Sequence, residues 1–323
     1  MAAASDTGSS NTDNITRNTT PDISGAGATP GDTITLKAAN GTVLGTATVA
    51  ADGTWSITPS LPLADGTQNL SVTATDPAGN ISAPTTVPVT IDTTIANPAG
   101  GLATTSDTGT PGDNKTNDTT PALSGTAEPG AKVEVTVGGV TYTTTAGPTG
   151  AWSIPATETL ADGSYTPVIK VTDAAGNTTT ANGTPFTVDA TAPATPTLTS
   201  VADNVSGGVF NANLTDGGAT NDTTPTLTGT AEPGSTVSIY DGATLLGTAT
   251  ANGSGNWTFT PTTALPDGAH SFTVTATDAA GNTSGATEPF DTTVDTQAPG
   301  APGTLTAPEN AGGGVNATEV TSG

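Results

Sequence analysis

The chain contains no cysteine among its 323 residues. Disulfides, thiolate chemistry and zinc sites built on Cys are excluded by that absence. Basic residues are nearly missing as well. Arg17, Lys37, Lys115, Lys132 and Lys170 stand against 29 acids, giving a net charge of −24. Phosphate backbones and anionic lipid repel such a chain, so nucleic acid and direct membrane insertion are poor partners. Aromatic residues make up 3% of the chain. Each core must therefore rest on Val, Ile, Leu, Ala and one Trp, and exposed rings for stacking on a sugar are scarce. A single histidine, His270, disfavours the transition metals that prefer imidazole. Runs of about 18 apolar residues, long enough to cross a bilayer, do not occur. Met1-Ala-Ala-Ala is too short for a signal peptide, yet the chain has the character of a piece cut from something secreted.

What the sequence has in abundance is Thr, Asp, Gly (41) and Pro (25). Thr and Val favour strands, whereas Gly, Pro, Asn and Asp favour turns. These residues are ordered by repetition. Thr-Asp-Xaa-Ala-Gly-Asn stands at Thr75–Asn80, Thr172–Asn177 and Thr277–Asn282, with 97 and 105 residues between successive aspartates. Gly-Xaa-Trp recurs at Trp55, Trp152 and Trp257, Asp-Gly at Asp65, Asp162 and Asp267, and a lone acid at Asp92, Asp189 and Asp295. A period near one hundred residues marks an array of similar domains. The spacing predicts repeats over 1–92, 93–189 and 190–295, with 296–323 beginning a fourth. Residues that form a first strand before Ser106 have no counterpart before Ser5, so repeat one is expected to lack it. A monomeric fragment of a longer array is the expectation, with its last stretch poorly packed.

Repeat three shows the pattern most clearly. Strands are predicted over Thr195–Val201, Thr224–Thr230, Thr236–Tyr240, Thr244–Ala251, Asn256–Thr260, His270–Thr277 and Phe290–Val294. Pro-Gly, Asp-Gly and Asn-Gly turns separate them, and Phe272, Val274 and Ala276 alternate with Ser271, Thr273 and Thr275. The stretch from Ala202 to Thr223 reads as a long polar loop. Seven short strands with turns every 8–12 residues predict an all-β chain, a tandem array of three seven-stranded Ig-like β-sandwiches. Trp55, Trp152 and Trp257, one per repeat at one place, are predicted core residues. His270, at the start of its strand, reads as a solvated edge residue.

Chain direction then places the acids. Alternating strands send successive loops to opposite poles. The acid that ends one repeat should meet two loops of the next: the Glu-Pro-Gly turn and the Asp–Asn loop. Asp92, Glu128, Asp173 and Asn177 are predicted to gather at the first junction. Asp189, Glu232, Asp278 and Asn282 are predicted to gather at the second. Unscreened carboxylates repel by roughly 4 kcal/mol per pair at 4 Å and an effective dielectric near 20. Calcium relieves this, because it takes 6–8 oxygens from carboxylates, amides and carbonyls; magnesium demands a rigid octahedron. Asp-Ala-Gly-Asn also forms a sound turn without metal. Weaker candidates are Asp76, Asn80 and Asp295. Asp107, Asp118, Asp203, Asp216 and Asp222, in loops at the other pole, are candidates for a second site. Asp65, Asp162 and Asp267 read as plain turn residues. Repeat one departs from the pattern, with Thr29 where Glu128 and Glu232 stand and Arg17-Asn18 where Asn117-Asp118 stand.

The run Asn221-Asp-Thr-Thr-Pro-Thr-Leu-Thr-Gly-Thr-Ala-Glu-Pro-Gly234, then Gly255-Asn-Trp257 and Ala276-Thr-Asp-Ala-Ala-Gly-Asn282, resembles the bacterial Ig-like repeats of giant adhesins. These are biofilm-associated and RTX-type surface proteins exported by type I secretion. The tail Leu305–Thr321 resembles the start of a further repeat. The resemblance implies an extracellular location, calcium at domain junctions, and an extender that holds a ligand-binding tip away from the cell. Partners would be neighbouring repeats of the same chain, with any surface ligand at the distant tip. A ligand-binding module for a glycan or host protein is the alternative function, weakened by the inward placing of most aromatics. Catalysis is not expected, since His270 has no nucleophile partner and the junction acids are covered by a neighbouring domain.

Overall fold

The computed structural model describes residues 1–205 and 212–303. The expected fourth-repeat strand at Leu305–Thr321 and part of the Ala202–Thr223 stretch lie outside the described residues. Among the described residues every regular element is a strand.

Repeat three has two sheets. One orders Ala212–Asn213, Thr197–Asp203, Thr226–Thr230 and Asn256–Phe259; the other orders Gly218–Thr220, Phe290–Val294, Gly268–Thr277, Thr236–Asp241 and Thr244–Thr250. The alternation read from the sequence sets the faces. Phe272, Val274 and Ala276 are fully buried, and Phe272 and Val274 pack in one core with Val201, Leu227 and Trp257 from the opposite sheet. Strand ends move by one or two residues. Thr224 is not yet strand, because the Asp222 carboxylate accepts its amide and holds a turn. The sixth strand begins at Gly268 rather than His270. His270, two residues before Phe272, shares its inward face, and with the strand already under way it is 6% exposed, not a solvated edge residue.

The loop between the first two strands crosses from one sheet to the other, and this crossover loop holds strands the sequence reading assigned to loop. Gly218–Thr220 runs parallel to Phe290–Val294, Lys115–Thr116 to Phe186–Val188, and Ile15–Thr16 to Thr85–Ile91. The signal was a Thr in a polar stretch: Thr16, Thr116 and Thr220 are each buried. In repeat two the second sheet is interrupted near Pro167 and Gly183–Pro185, so its edge divides into Lys132–Val137, Val140–Thr145, Val168–Thr172 and Thr178–Asn182 on one side and a three-stranded piece on the other. Proline cannot donate to a ladder, which accounts for the break.

Repeat one pairs Ile23–Gly25 with Trp55–Ile57 alone, whereas the matching strands of repeats two and three gain a third partner, Ala99–Leu102 or Thr197–Asp203. This explains a difference among the tryptophans. Trp152 and Trp257 are buried, at 4% and 3% exposed, but Trp55 is only partly buried against its core. Each indole lies over a glycine, at Gly25, Gly125 or Gly229, where a side-chain carbon would collide with the ring.

Candidate metal centre at the repeat junctions

The three Asp–Asn loops fold alike. The aspartate amide donates to the asparagine carbonyl, at 3.0 Å in Asp76, 3.1 Å in Asp173 and 3.0 Å in Asp278. One carboxylate oxygen accepts the asparagine amide and the other its side-chain Nδ2, all at 2.8–2.9 Å. The first copy, exposed at Asp76–Asn80, closes in the same way, so the turn itself is intrinsic to the sequence. At each junction the asparagine also bonds the incoming linker: Asn177 Nδ2 donates to the Asp92 carbonyl at 2.8 Å, and Asn282 Nδ2 to the Asp189 carbonyl at 2.7 Å. The asparagines thus tie the incoming linker to the loop as donors.

At the first junction the acids converge. Oxygens of Asp92, Glu128 and Asp173 lie within 4.8 Å of one another, the one such trio among the described residues. Asp173 is buried and the other two half-buried. Burial raises the Glu128 pKa first, and the Asp92 and Asp173 charges raise it further, against a lowering bond from the Ala96 backbone. Three oxygen donors of a single hard type, mutually repelling and partly desolvated, fit calcium.

The second junction is looser. Asp189, Glu232 and Asp278 line one cavity of about 320 Å³ with Lys115, but do not close into a trio. Glu232 is exposed. Four residues beyond the linker aspartate stands Ala96 in the first junction and Pro193 in the second. Proline has no N–H to draw the glutamate inward. Lys115 at this cavity, and Lys132, Lys170 and Arg17 beside Asp173, bring basic groups nearer the junctions than their loop sequences suggest.

Other predicted residues fall in place one by one. Asp295 repeats the linker turn by accepting the Gln297 amide at 2.9 Å. Asp118 accepts the Thr120 amide and is a turn residue. Asp203 and Asp222 are buried, and each has both oxygens engaged by repeat-three donors. Asp216 accepts the Asp291 amide. Asp107 accepts the Gly112 amide with Oδ2, and its Oδ1 is buried without a partner.

Two sets of junction residues escaped the sequence reading. Asp65, Asp162 and Asp267, taken as plain turns, clamp the outgoing linkers through Thr93, Thr191 and Thr296. A constant spacing of 28 or 29 residues between Asp-Gly and those threonines was the available signal. The crossover loops of repeats one and two also reach the next domain. Thr7 Oγ1 donates to the Ala175 carbonyl at 2.6 Å and Arg17 to the Gly176 carbonyl at 2.6 Å. Thr108 Oγ1 donates to Ala280 at 2.5 Å and the Thr110 amide to Ala279 at 3.0 Å.

Fold and junctions together define a tandem array of all-β sandwiches joined through acid-rich loops. A family model described as the bacterial Ig-like domain matches residues 1–93, 94–190 and 194–296, and the chain belongs to that family. Among solved structures, it is 30% identical to a Ca2+-stabilized adhesin that helps an Antarctic bacterium reach out and bind ice; the match covers 89% of this chain and 73% of that one, with a TM-score of 0.35. It is 26% identical to a tetra-tandem repeat in the extending region of a large adhesion protein, covering 88% and 72%, with a TM-score of 0.29. A 1.5-MDa bacterial ice-binding adhesin is 24% identical over 87% of this chain and 92% of that one, with a TM-score of 0.36. The comparison with curated proteins returns no match. No helix among the described residues is long and apolar enough to cross a membrane.

Proposed function

We propose that the chain is an extracellular extender segment of a bacterial surface adhesin, held straight by calcium at its repeat junctions. The observation that carries this reading is the Asp92–Glu128–Asp173 trio, which draws on two successive domains. Asp92 leaves one repeat and the other two belong to the next, so an ion held by all three fixes the angle between them. Asn177 orients Asp92 through its carbonyl. Asp189, Glu232 and Asp278, with Asn282, are the corresponding residues of a looser second joint, where an ion would have to draw the exposed Glu232 inward. Calcium would supply positive charge there; the chain supplies the carboxylate oxygens that would hold it, and their position.

The adhesin resemblance carries the wider reading: export by type I secretion, a place at the cell surface, and a part in adhesion and biofilm formation, without catalysis. Its direct partners are neighbouring repeats. A glycan-binding role is disfavoured because Trp152 and Trp257 are buried and Tyr142 and Tyr165 pack on the repeat-two core. At a calcium concentration one hundred times Kd, each ion adds about 2.7 kcal/mol of stability by mass action. Chelation should broaden the distribution of interdomain angles in small-angle scattering and lower the melting temperature. Glu128→Gln with Asp173→Asn should reproduce the first-junction part of both effects. Scattering and melting curves indifferent to chelator would sink the proposal.

A further inference from the structure

Away from the junction trio, two aspartates each bury a carboxylate oxygen with no hydrogen-bond partner. Asp6 is 6% exposed and its Oδ1 is one of them; Asp107 Oδ1 is the other. They occupy the same place in repeats one and two, at the head of the crossover loop. Each loop closes on a second aspartate, Asp13 or Asp113, followed by an asparagine in the left-handed region, Asn14 or Asn114, both with φ 59°. In both loops the backbone takes one oxygen from each acid. Asp6 Oδ2 accepts the Asn14 amide at 3.1 Å and Asp13 Oδ1 the Ile15 amide at 3.0 Å. Asp107 Oδ2 accepts the Gly112 amide at 2.8 Å and Asp113 Oδ1 the Lys115 amide at 2.9 Å.

The two loops differ in length and in most intervening residues, Thr7-Gly-Ser-Ser-Asn-Thr12 against Thr108-Gly-Thr-Pro-Gly112. Yet both keep the paired acids and both orphan the same oxygen. A buried anionic oxygen without a donor is costly, and a recurring cost calls for a ligand that the bare chain does not supply.

We propose that each of these crossover loops is a further divalent-cation site, held by Asp6 with Asp13 in repeat one and by Asp107 with Asp113 in repeat two. Oxygen-only donors and an irregular loop suit calcium, with loop carbonyls and water filling the remaining positions. The site shares no ligand with the junction trio and does not depend on it. Repeat three is built otherwise: Asp203 and Asp222 have both oxygens engaged by neighbouring amides and hydroxyls. The consequence lies at the loop tip. Thr7 and Thr108, each next to the orphaned acid, are the residues that bond the following repeat's Asp–Asn loop. An ion in the crossover loop therefore steadies one side of that loop, while the junction ion holds the other.

Calcium chloride titrated into the chelator-treated full chain, followed by calorimetry, tests this. Asp6→Asn with Asp13→Asn, and separately Asp107→Asn with Asp113→Asn, should each remove one bound equivalent. Glu128→Gln with Asp173→Asn should remove a different one. Unchanged stoichiometry in both loop variants would overturn the inference and leave the junction reading standing. Loss in the loop variants with none in the junction variant supports it and removes the junction trio instead. Should a variant fail to fold, the amide signals of Thr7 and Thr108 in the unaltered chain decide: they must shift on calcium addition, and immobile signals refute the site.

Discussion

A glycine under a tryptophan sets the tolerance of each core. At Gly125 an added side-chain carbon would overlap the Ala99 carbonyl and come within 2.6 Å of the Trp152 ring. At Gly229 it would overlap the Thr197 carbonyl and approach the Trp257 ring to 2.7 Å. Backbone cannot step aside as a side chain can, so Gly125→Ala and Gly229→Ala should each cost about 1–3 kcal/mol. Gly25→Ala meets only the half-exposed Trp55 ring and should cost less; thermal melts of the three variants give the ranking. His270 permits a second residue-level prediction. Its Nδ1 lies 2.7 Å from Asp241 Oδ2 and its Nε2 2.8 Å from the Pro266 carbonyl, so two acceptors face one ring. Burial works to lower its pKa, but the Asp241 hydrogen bond, the Pro266 carbonyl and the Asp241 charge together raise it above the ordinary 6.5. A raised folded-state value means that this stabilisation is complete below pH 6.5 and is lost as pH rises through the folded pKa. Repeat three should weaken over that range, and Asp241→Asn should flatten the dependence. The single imidazole signal in proton NMR reports the pKa directly. The inward aromatics were legible as alternation, and so was the phase of His270, which stands two residues before Phe272; its burial was missed because the strand was read as starting at His270, whereas it is already under way at Gly268.

At the level of elements, the joints are made by loops that each do two jobs. The Asp-Gly turns reverse the chain and also grip the linker that leaves the same repeat. The Thr191 hydroxyl and the Ala190 amide, donating to Asp162, lower its pKa in that order. In Asp162→Ala the Ala190 amide loses its acceptor, and its hydrogen exchange should quicken while the repeat-two core strands keep their protection. The crossover loops dock on the next repeat through a glycine of positive φ, 101° at Gly8 and 68° at Gly109. A side chain at Gly109 would overlap the Ala279 carbonyl. Gly109→Val should therefore undock the tip, and NMR relaxation should show repeat three tumbling more independently of repeat two, with both cores intact. The seven main strands of repeat three, their facing, and the gathering of Asp92, Glu128 and Asp173 were readable from period and chain direction; the short crossover-loop strands were not. The docking of crossover loops was not. It depends on bare backbone carbonyls of the Asp–Asn loop, which no side-chain pattern announces. The looser second junction was equally hidden, since it turns on Pro193 lacking one N–H.

The whole molecule carries a net charge of −24, and three of its acids are held close together at the first junction. Screening and coordination both relieve such repulsion, but they differ in kind. Sodium chloride at 0.1 M shortens the reach of exposed charges to about 10 Å and leaves close, partly buried groups almost untouched. Calcium at micromolar to millimolar levels should therefore raise the melting temperature far more than sodium chloride of matched ionic strength, with magnesium between them. Equal effects from all three would leave only screening. The parallel pairing of Ile15–Thr16 with Thr90–Ile91, and of Lys115–Thr116 with Thr187–Val188, has a mechanical consequence. The chain enters each repeat at one pole and leaves at the other, so tension pulls the short strand back toward its start and the last strand forward toward its end. The hydrogen bonds between them are loaded in shear, all at once, rather than peeled apart one by one. A tether under drag from flowing water would meet its greatest resistance in those few residues, at the buried threonines that composition alone marked as loop.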